Sequence, residues 1–183
     1  EFSLGDKPVI IDIGANAGFF TLFALSEAGA RVISYEPIPV NFRQLKRNVE
    51  LNQGFSVTCF QKAVAGESGT VTLSYDPHDA FTTSATMYEI RKENSATITV
   101  PSVSLPDVFR ENNLVRCDLL KMDCEGAEYD ILYNCPPDLL SRIGNIAMEV
   151  HSGPGSKQNI DSLDAYLKEM GFFTHRRPVG MLW

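Results

Sequence analysis

Short apolar runs and amphipathic stretches alternate along this chain. Val9-Ile10-Ile11-Asp12-Ile13 is a largely β-branched run that stops at a glycine, the pattern of a strand buried on both faces. Phe19 to Ala28 is apolar and helix-compatible, with Gly29 placed to cap it. Arg31 to Tyr35 reads as a second strand. Asn41 is the expected cap of a helix whose Phe42, Leu45 and Val49 share one face and which Gly54 ends. Phe55 to Phe60, with apolar residues at alternate positions, is the third strand.

From Gly66 the rhythm changes. Thr70 to Tyr75 predicts an additional strand, and a polar stretch, 76–95, follows it. Such a segment in a compact fold is usually a functional loop or a mobile one. It carries Phe81-Thr82-Thr83-Ser84-Ala85, and a mobile lid or acceptor-binding role is expected there. Thr97 to Val100 predicts a short strand, and Leu105 to Glu111 a short helix with Pro106 acceptable in its first turn. Asp118 to Met122 is a fourth core strand, with a helix from about Ala127. Asn145 to Val150 is a fifth, Ile160 to Met170 an amphipathic helix, and Phe172 to His175 a sixth strand. Strands alternating with helices predict an α/β fold: a doubly wound, mostly parallel sheet with helices on both faces. No repeat, low-complexity tract or linker divides the chain, so residues 1–183 are expected to form one domain. Glu1-Phe2 is no natural initiator, so residues upstream are expected.

Composition narrows the function classes. Hydrophobic residues at 44% and charged residues at 21% are ordinary values for a packed core and argue against disorder. No apolar run approaches the ~20 residues of a membrane span. The net charge of −7 opposes a polyanionic partner, which excludes nucleic-acid binding as the main role. Cys59, Cys117, Cys124 and Cys135 are scattered, with no CxxC pair. They suit neither a disulfide framework nor a zinc site, and are read as reduced thiols of a cytoplasmic protein.

The strongest chemical signal is Asp12-Ile13-Gly14-Ala15-Asn16-Ala17-Gly18, at the junction of the first strand and first helix. Ligands of open α/β sheets bind outside the carboxyl ends of strands, and glycine there lets the backbone approach them. Tyr35-Glu36-Pro37 ends the second strand. Glu36 lies 24 residues after Asp12, close to the offset of ~20 residues at which an acid meets a ribose diol. The ligand therefore contains a nucleoside. Its glycines are spaced GxxxG rather than GxGxxG, and the preceding Asp12 would repel a pyrophosphate but suit a sulfonium. That favours S-adenosylmethionine over NAD(P). A nicotinamide-dependent oxidoreductase and a nucleoside-binding module without chemistry remain the alternatives.

These segments resemble the FkbM family of S-adenosylmethionine-dependent methyltransferases over nearly the whole chain. The resemblance rests on VIIDIGANAGFFT (9–21), SYEPIPVNFRQLKRNVELN (34–52), KAVAGESGTVTL (62–73), DLLKMDCEGAEYDIL (118–132) and AMEVH (147–151). It implies a Rossmann-like class I methyltransferase fold and, usually, O-methylation of a small-molecule or sugar (glycan) hydroxyl; N- and carboxyl methylation stay open. By the same resemblance Asp12, Gly14, Asn16 and Gly18 would line the methionine half of the cofactor, and Glu36, followed by Pro37, would hold the ribose. Ala63 and Val64 would flank the adenine. Phe19 and Tyr35 are further candidates to face the cofactor, although aromatic residues there are more often core.

The reacting end should lie beyond the fourth and fifth strands. Asp123 ends the fourth, with Glu125 and Glu128 after it, and Glu149 and His151 end the fifth. His151 titrates in the useful range and is the expected base for the acceptor's proton, with Asp123, Glu149 or Glu125 assisting; Asp123 also adjoins the cofactor. Glu125 and Glu128 equally fit a first helical turn, where carboxylates gain roughly 0.3–1 kcal/mol from the macrodipole. Asp123, Glu125, Glu149 and His151 also suit a hard divalent cation, but their spacing is loose and no metal is expected.

Overall fold

A computed structural model describes residues 4–52, 54, 56–76 and 96–177. Its main sheet contains β1 (Val9–Ile13), β2 (Arg31–Tyr35) and β3 (Ser56–Phe60). A second, smaller sheet is built from β4 (Ala63–Ala65), β5 (Gly69–Tyr75) and β6 (Ala96–Ser104). β7 (Leu119–Met122) and β8 (Ile146–Met148) complete the main sheet. The helices are α1 (Phe19–Ala28), α2 (Pro39–Leu51), α3 (Leu105–Glu111), α4 (Glu128–Tyr133), α5 (Pro137–Leu140) and α6 (Ile160–Glu169).

Every neighbour in the main sheet is parallel, in the order β3-β2-β1-β7-β8. Alternation along β1 shows why the run is so apolar. Ile10 packs with Ala24 and Leu25 of α1 on one face. Ile11 and Ile13 pack on the other with Val108 and Phe109 of α3, Ile131 of α4 and Leu163 of α6. Burying each such side chain contributes roughly 1.5–3 kcal/mol. This is the doubly wound α/β fold, with helices on both faces. From β1 the chain winds out through β2 to β3, then returns on the opposite side of β1 as β7 and β8. The carboxyl ends of β1 and β7 therefore flank the topological switch point, where such sheets bind ligands.

The small sheet has the order β4-β6-β5, with β5 and β6 antiparallel and β4 and β6 parallel. Its inner face, Ala63, Leu73 and Val100, packs on Ile38 beside the carboxyl end of β2. β6 is longer than the expected Thr97 to Val100 and runs on through Pro101 to Ser104.

Three expectations need correction, and one helix is new. Asn41 does not cap α2: Pro39 opens the helix after Ile38, and Asn41 is buried inside the first turn. Phe172 to His175 forms no strand, and Phe173 is fully exposed. Arg176 instead ties this segment to α6 through Asp161 and Asp164, each at 2.6 Å. The fifth core strand ends at Met148, and α5 was not anticipated. Of the lid expected at 76–95, residues 77–95, with Phe81 to Ala85, lie outside the described residues. Among the described residues no helix is long and apolar enough to cross a membrane.

Where β1 ends, the backbone leaves no room. Gly14 has φ +73°, and a Cβ on it would lie 1.8 Å from the carbonyl oxygen of Asp123. Gly29 also has positive φ, +56°, but nothing lies within 4 Å of its would-be Cβ. In urea denaturation, Gly29→Ala is expected to cost ~1–2 kcal/mol from its φ alone. Gly14→Ala should cost ~3 kcal/mol or more, because β1 and β7 must part. Equal losses would contradict the close approach.

Candidate functional site

The turn after β1 is clamped from both sides. The N–H groups of Gly14 and Ala15 both donate to the Tyr35 carbonyl at 3.0 Å, and the N–H of Asp123 donates to the Ile13 carbonyl at 3.1 Å. Asn16 takes φ +50°, tolerable for asparagine, and directs its N–H to Glu36 Oε2 at 2.8 Å. The other Glu36 oxygen accepts the N–H of Ile38 at 2.8 Å, and the side chain of Asn41 also hydrogen-bonds this carboxyl. Glu36 is 4% exposed. Burial pushes its pKa up to about 7, against the pull of those donors.

A cleft opens above this turn. Gly14 and Asn16 line its floor, Glu36 and Pro37 one wall, and Ala63 and Val64 of β4 the wall beyond. Asp123 and Glu125 close the opposite side. Ile13, Asn41, Leu73, Cys124 and Ala127 line it too. None of these five was expected in the cleft: Asn41 reads as a helix cap and Cys124 as an isolated thiol, and Ile13, Leu73 and Ala127 carry no pattern distinguishing them from core. Lys62 turns away to Glu111, 3.2 Å distant, leaving Ala63 and Val64 as the cleft's contribution from that segment.

Three of the expected cofactor residues stand elsewhere. Phe19 is 77% exposed, outside the cleft lining. Tyr35 lines the cleft from within the core, stacked on Phe60 at 5.0 Å and bonded through its hydroxyl to Asn112 Nδ2 at 3.1 Å. Gly18, at φ +89°, is where α1 starts against Leu45 of α2, whose Cδ1 would lie 2.5 Å from a Cβ. Asp12 is completely buried beneath the turn. It accepts from Thr21 Oγ1 at 2.7 Å and pairs with Lys121 Nζ at 3.2 Å. Lys121 also donates to the Gly14 carbonyl at 3.0 Å. Burial raises the Asp12 pKa and the lysine opposes the rise. The electrostatic reading of Asp12 therefore changes: its charge is met by Lys121 and does not face the cleft. Lysine in an otherwise buried strand was the available signal for this partner.

The carboxyl ends of β7 and β8 bring the second group together. His151 Nδ1 lies 3.2 Å from Glu128 Oε1, while Nε2 lies 3.5 Å from Glu125 and 3.8 Å from Glu149. Asp123, Glu125 and His151 each offer a ligand atom within 4.8 Å of the others, so residues loosely spaced in sequence close up in space. Glu125 precedes α4 in a turn with φ +52°, not in the helix's first turn. Glu128 is in that turn but wholly buried, serving His151 and the N–H of Cys124 at 3.3 Å. Burial acts to lower the His151 pKa, but the carboxylates of Glu128, Glu125 and Glu149 outweigh it and raise it. Burial, together with the surrounding carboxylates, raises that of Glu125 although His151 opposes the shift. This arrangement can hold a proton or a cation next to whatever occupies the cleft.

With that geometry in place, the kinship of the chain is informative. Residues 12–174 match the family described as the methyltransferase FkbM domain. Methyltransferase sdnD of Sordaria araneosa is 30% identical over 198 residues, covering 93% of this chain and 75% of that protein. The 31-O-demethyl-FK506 methyltransferase FkbM of Streptomyces tacrolimicus is 27% identical over 199 residues, covering 94% and 74%. Hexuronic acid methyltransferase AglP of Haloferax volcanii is 24% identical over 152 residues, covering 83% and 59%.

Removing one partner of a buried ion pair strands the other. Lys121→Met is expected to lower unfolding stability by ~3–5 kcal/mol, and Asp12→Asn in the same chain to restore much of the loss. Denaturant titration of the three variants measures the coupling; additive effects would mean that the pair does not support the turn.

Proposed function

The chain belongs to the FkbM methyltransferase family, and on that premise we propose that it methylates a small-molecule or sugar hydroxyl using S-adenosylmethionine. The observation that carries the cofactor reading is Glu36: a carboxylate almost wholly buried, yet lining the cleft at the sheet's switch point. Its two oxygens are already anchored by the N–H groups of Asn16 and Ile38. Each retains acceptor capacity for a ribose hydroxyl. Gly14 and Asn16 would lie under the methionine half and Ala63 and Val64 beside the adenine. Gly18 and Asp12 would act from below, Gly18 by admitting Leu45 and Asp12 through Lys121.

S-adenosylmethionine supplies an electrophilic methyl group on a sulfonium. The protein's share is alignment and proton removal. Alignment can be large, since effective molarities reach about 10⁵–10⁸ M. The acceptor hydroxyl would face Asp123, Glu125, Glu149 and His151, and its proton would pass into this cluster, adding about 10²–10⁴-fold. Glu128 accepts from Nδ1 in the neutral tautomer that leaves the Nε2 lone pair facing Glu125 and Glu149. A hydroxyl acceptor is supported by the Streptomyces relative, named for an O-demethyl compound, and a sugar acceptor by the archaeal relative, named for hexuronic acid.

Two outcomes follow. A ribose diol donates more strongly to the ionised Glu36 carboxylate than to the neutral acid, and burial pushes the pKa of this group up to about 7. Calorimetric affinity for S-adenosylhomocysteine should be full above that pH and fall by up to about tenfold per unit below it. Glu36→Gln should bind weakly and without this pH dependence; a flat profile in the parent protein would count against the ribose contact. With a turned-over acceptor in hand, His151→Ala should reduce kcat by about 10²–10⁴-fold while S-adenosylhomocysteine affinity holds. Full retention of rate would remove the cluster from the chemistry.

A further inference from the structure

Resting on the methyltransferase reading of the cleft, we propose that Asp123, Glu125 and His151 form a divalent-cation site at its acceptor end. Each places one ligand atom within 4.8 Å of the other two. His151 Nε2 and Glu125 Oε2 are 3.5 Å apart, a fitting separation for ligands each about 2.2 Å from one ion. Asp123 and Glu125 also line the cleft, so an ion held there would be open to a bound molecule.

Glu128, which is not one of the three ligands, supplies the independent observation. It is completely buried, its Oε1 meets His151 Nδ1 at 3.2 Å, and its Oε2 has no hydrogen-bond partner among the described residues. A buried carboxylate with an orphan oxygen is costly unless charge nearby compensates it. Metal-bound histidines characteristically donate their other ring N–H to such a carboxylate, which fixes the tautomer and aims the free nitrogen at the ion. Here it leaves Nε2 directed at Glu125. A cation would also offset the mutual repulsion of Asp123, Glu125, Glu128 and Glu149 around one imidazole. Two carboxylates with one imidazole suit Mn²⁺, whereas Mg²⁺ prefers oxygen ligands alone.

Three protein ligands leave about three positions of an octahedral ion open. An acceptor with two adjacent oxygens, such as a vicinal diol of a sugar or a hydroxyl beside a carbonyl, would occupy two of them. Coordination makes the hydroxyl more acidic. Its proton passes to Glu149, which stands 3.8 Å from His151 and is 47% exposed, outside the ligand set. The site therefore selects chelating acceptors over isolated alcohols.

The test titrates the metal-stripped full chain with Mn²⁺, following free ion by electron paramagnetic resonance and coordinated nitrogen by spin-echo modulation. One Mn²⁺ per chain should bind with a ¹⁴N coupling. His151→Gln should abolish the coupling and Asp123→Asn should weaken binding at least tenfold. Glu128→Gln, acting through His151, should weaken it about 10–100-fold. Circular dichroism melting of the same samples reports whether each variant is folded, and calorimetry on the parent chain measures its S-adenosylhomocysteine affinity. Nucleoside binding with no stoichiometric Mn²⁺, or Mn²⁺ binding without the nitrogen coupling, would overturn the cation site. Stoichiometric, nitrogen-coupled Mn²⁺ without nucleoside binding would sustain the site and overturn the methyltransferase reading instead.

Discussion

One buried carboxylate ties the cleft together. Glu36 ends β2, yet its oxygens hold the N–H of Asn16 in the turn after β1 and the N–H of Ile38 just before α2. A parallel sheet leaves the backbone groups at its strand ends without ladder partners, and those groups need acceptors when buried. Glu36 provides two of them, and the Tyr35 carbonyl serves the Gly14 and Ala15 N–H groups. The loop is thus held in the one conformation that exposes its floor. The energy of burying this carboxylate is spent where the fold meets its ligand, and burial explains its high affinity for a proton.

Below the turn, a second charge performs the complementary task. Lys121 reaches from β7 to the Gly14 carbonyl and to Asp12 on β1, so neighbouring strands are pinned at the same height as Glu36. Thr21 of α1 and Ser34 of β2 extend that polar network at 2.7 and 2.9 Å. The acid–imidazole group gathers after β7 and β8, and its Asp123 and Glu125 line the same cleft. Both ends of the cleft therefore rest on four adjoining parallel strands, β2, β1, β7 and β8.

Much of this was legible in the residues. Strands buried on both faces announce themselves as continuous apolar runs, so β1, β2 and β7 were read almost to the residue. Glu36 stands out in the sequence by its offset of 24 residues from Asp12, just past a strand end. What was hidden depends on distances across the fold. Asp12 reads as a cleft acid until Lys121, over a hundred positions away, is seen beneath it. Glu128 reads as a helix-terminus charge until His151, 23 residues on, is found against it. Asn41 reads as a cap, but Pro39, whose fixed φ suits the first helical position, starts α2 earlier and leaves asparagine to face Glu36. Phe172 to Phe173 has strand composition, yet it forms no strand beside the edge strand β8, and Phe173 points into solvent.

The account stands most directly on which nucleoside enters the cleft. Calorimetric titration of the chain with S-adenosylmethionine and, in parallel, NAD tests it. One-to-one micromolar binding of S-adenosylmethionine, lost in Glu36→Gln, with no heat from NAD, is the result the geometry predicts. Binding of NAD alone, or S-adenosylmethionine binding indifferent to Glu36, would contradict it.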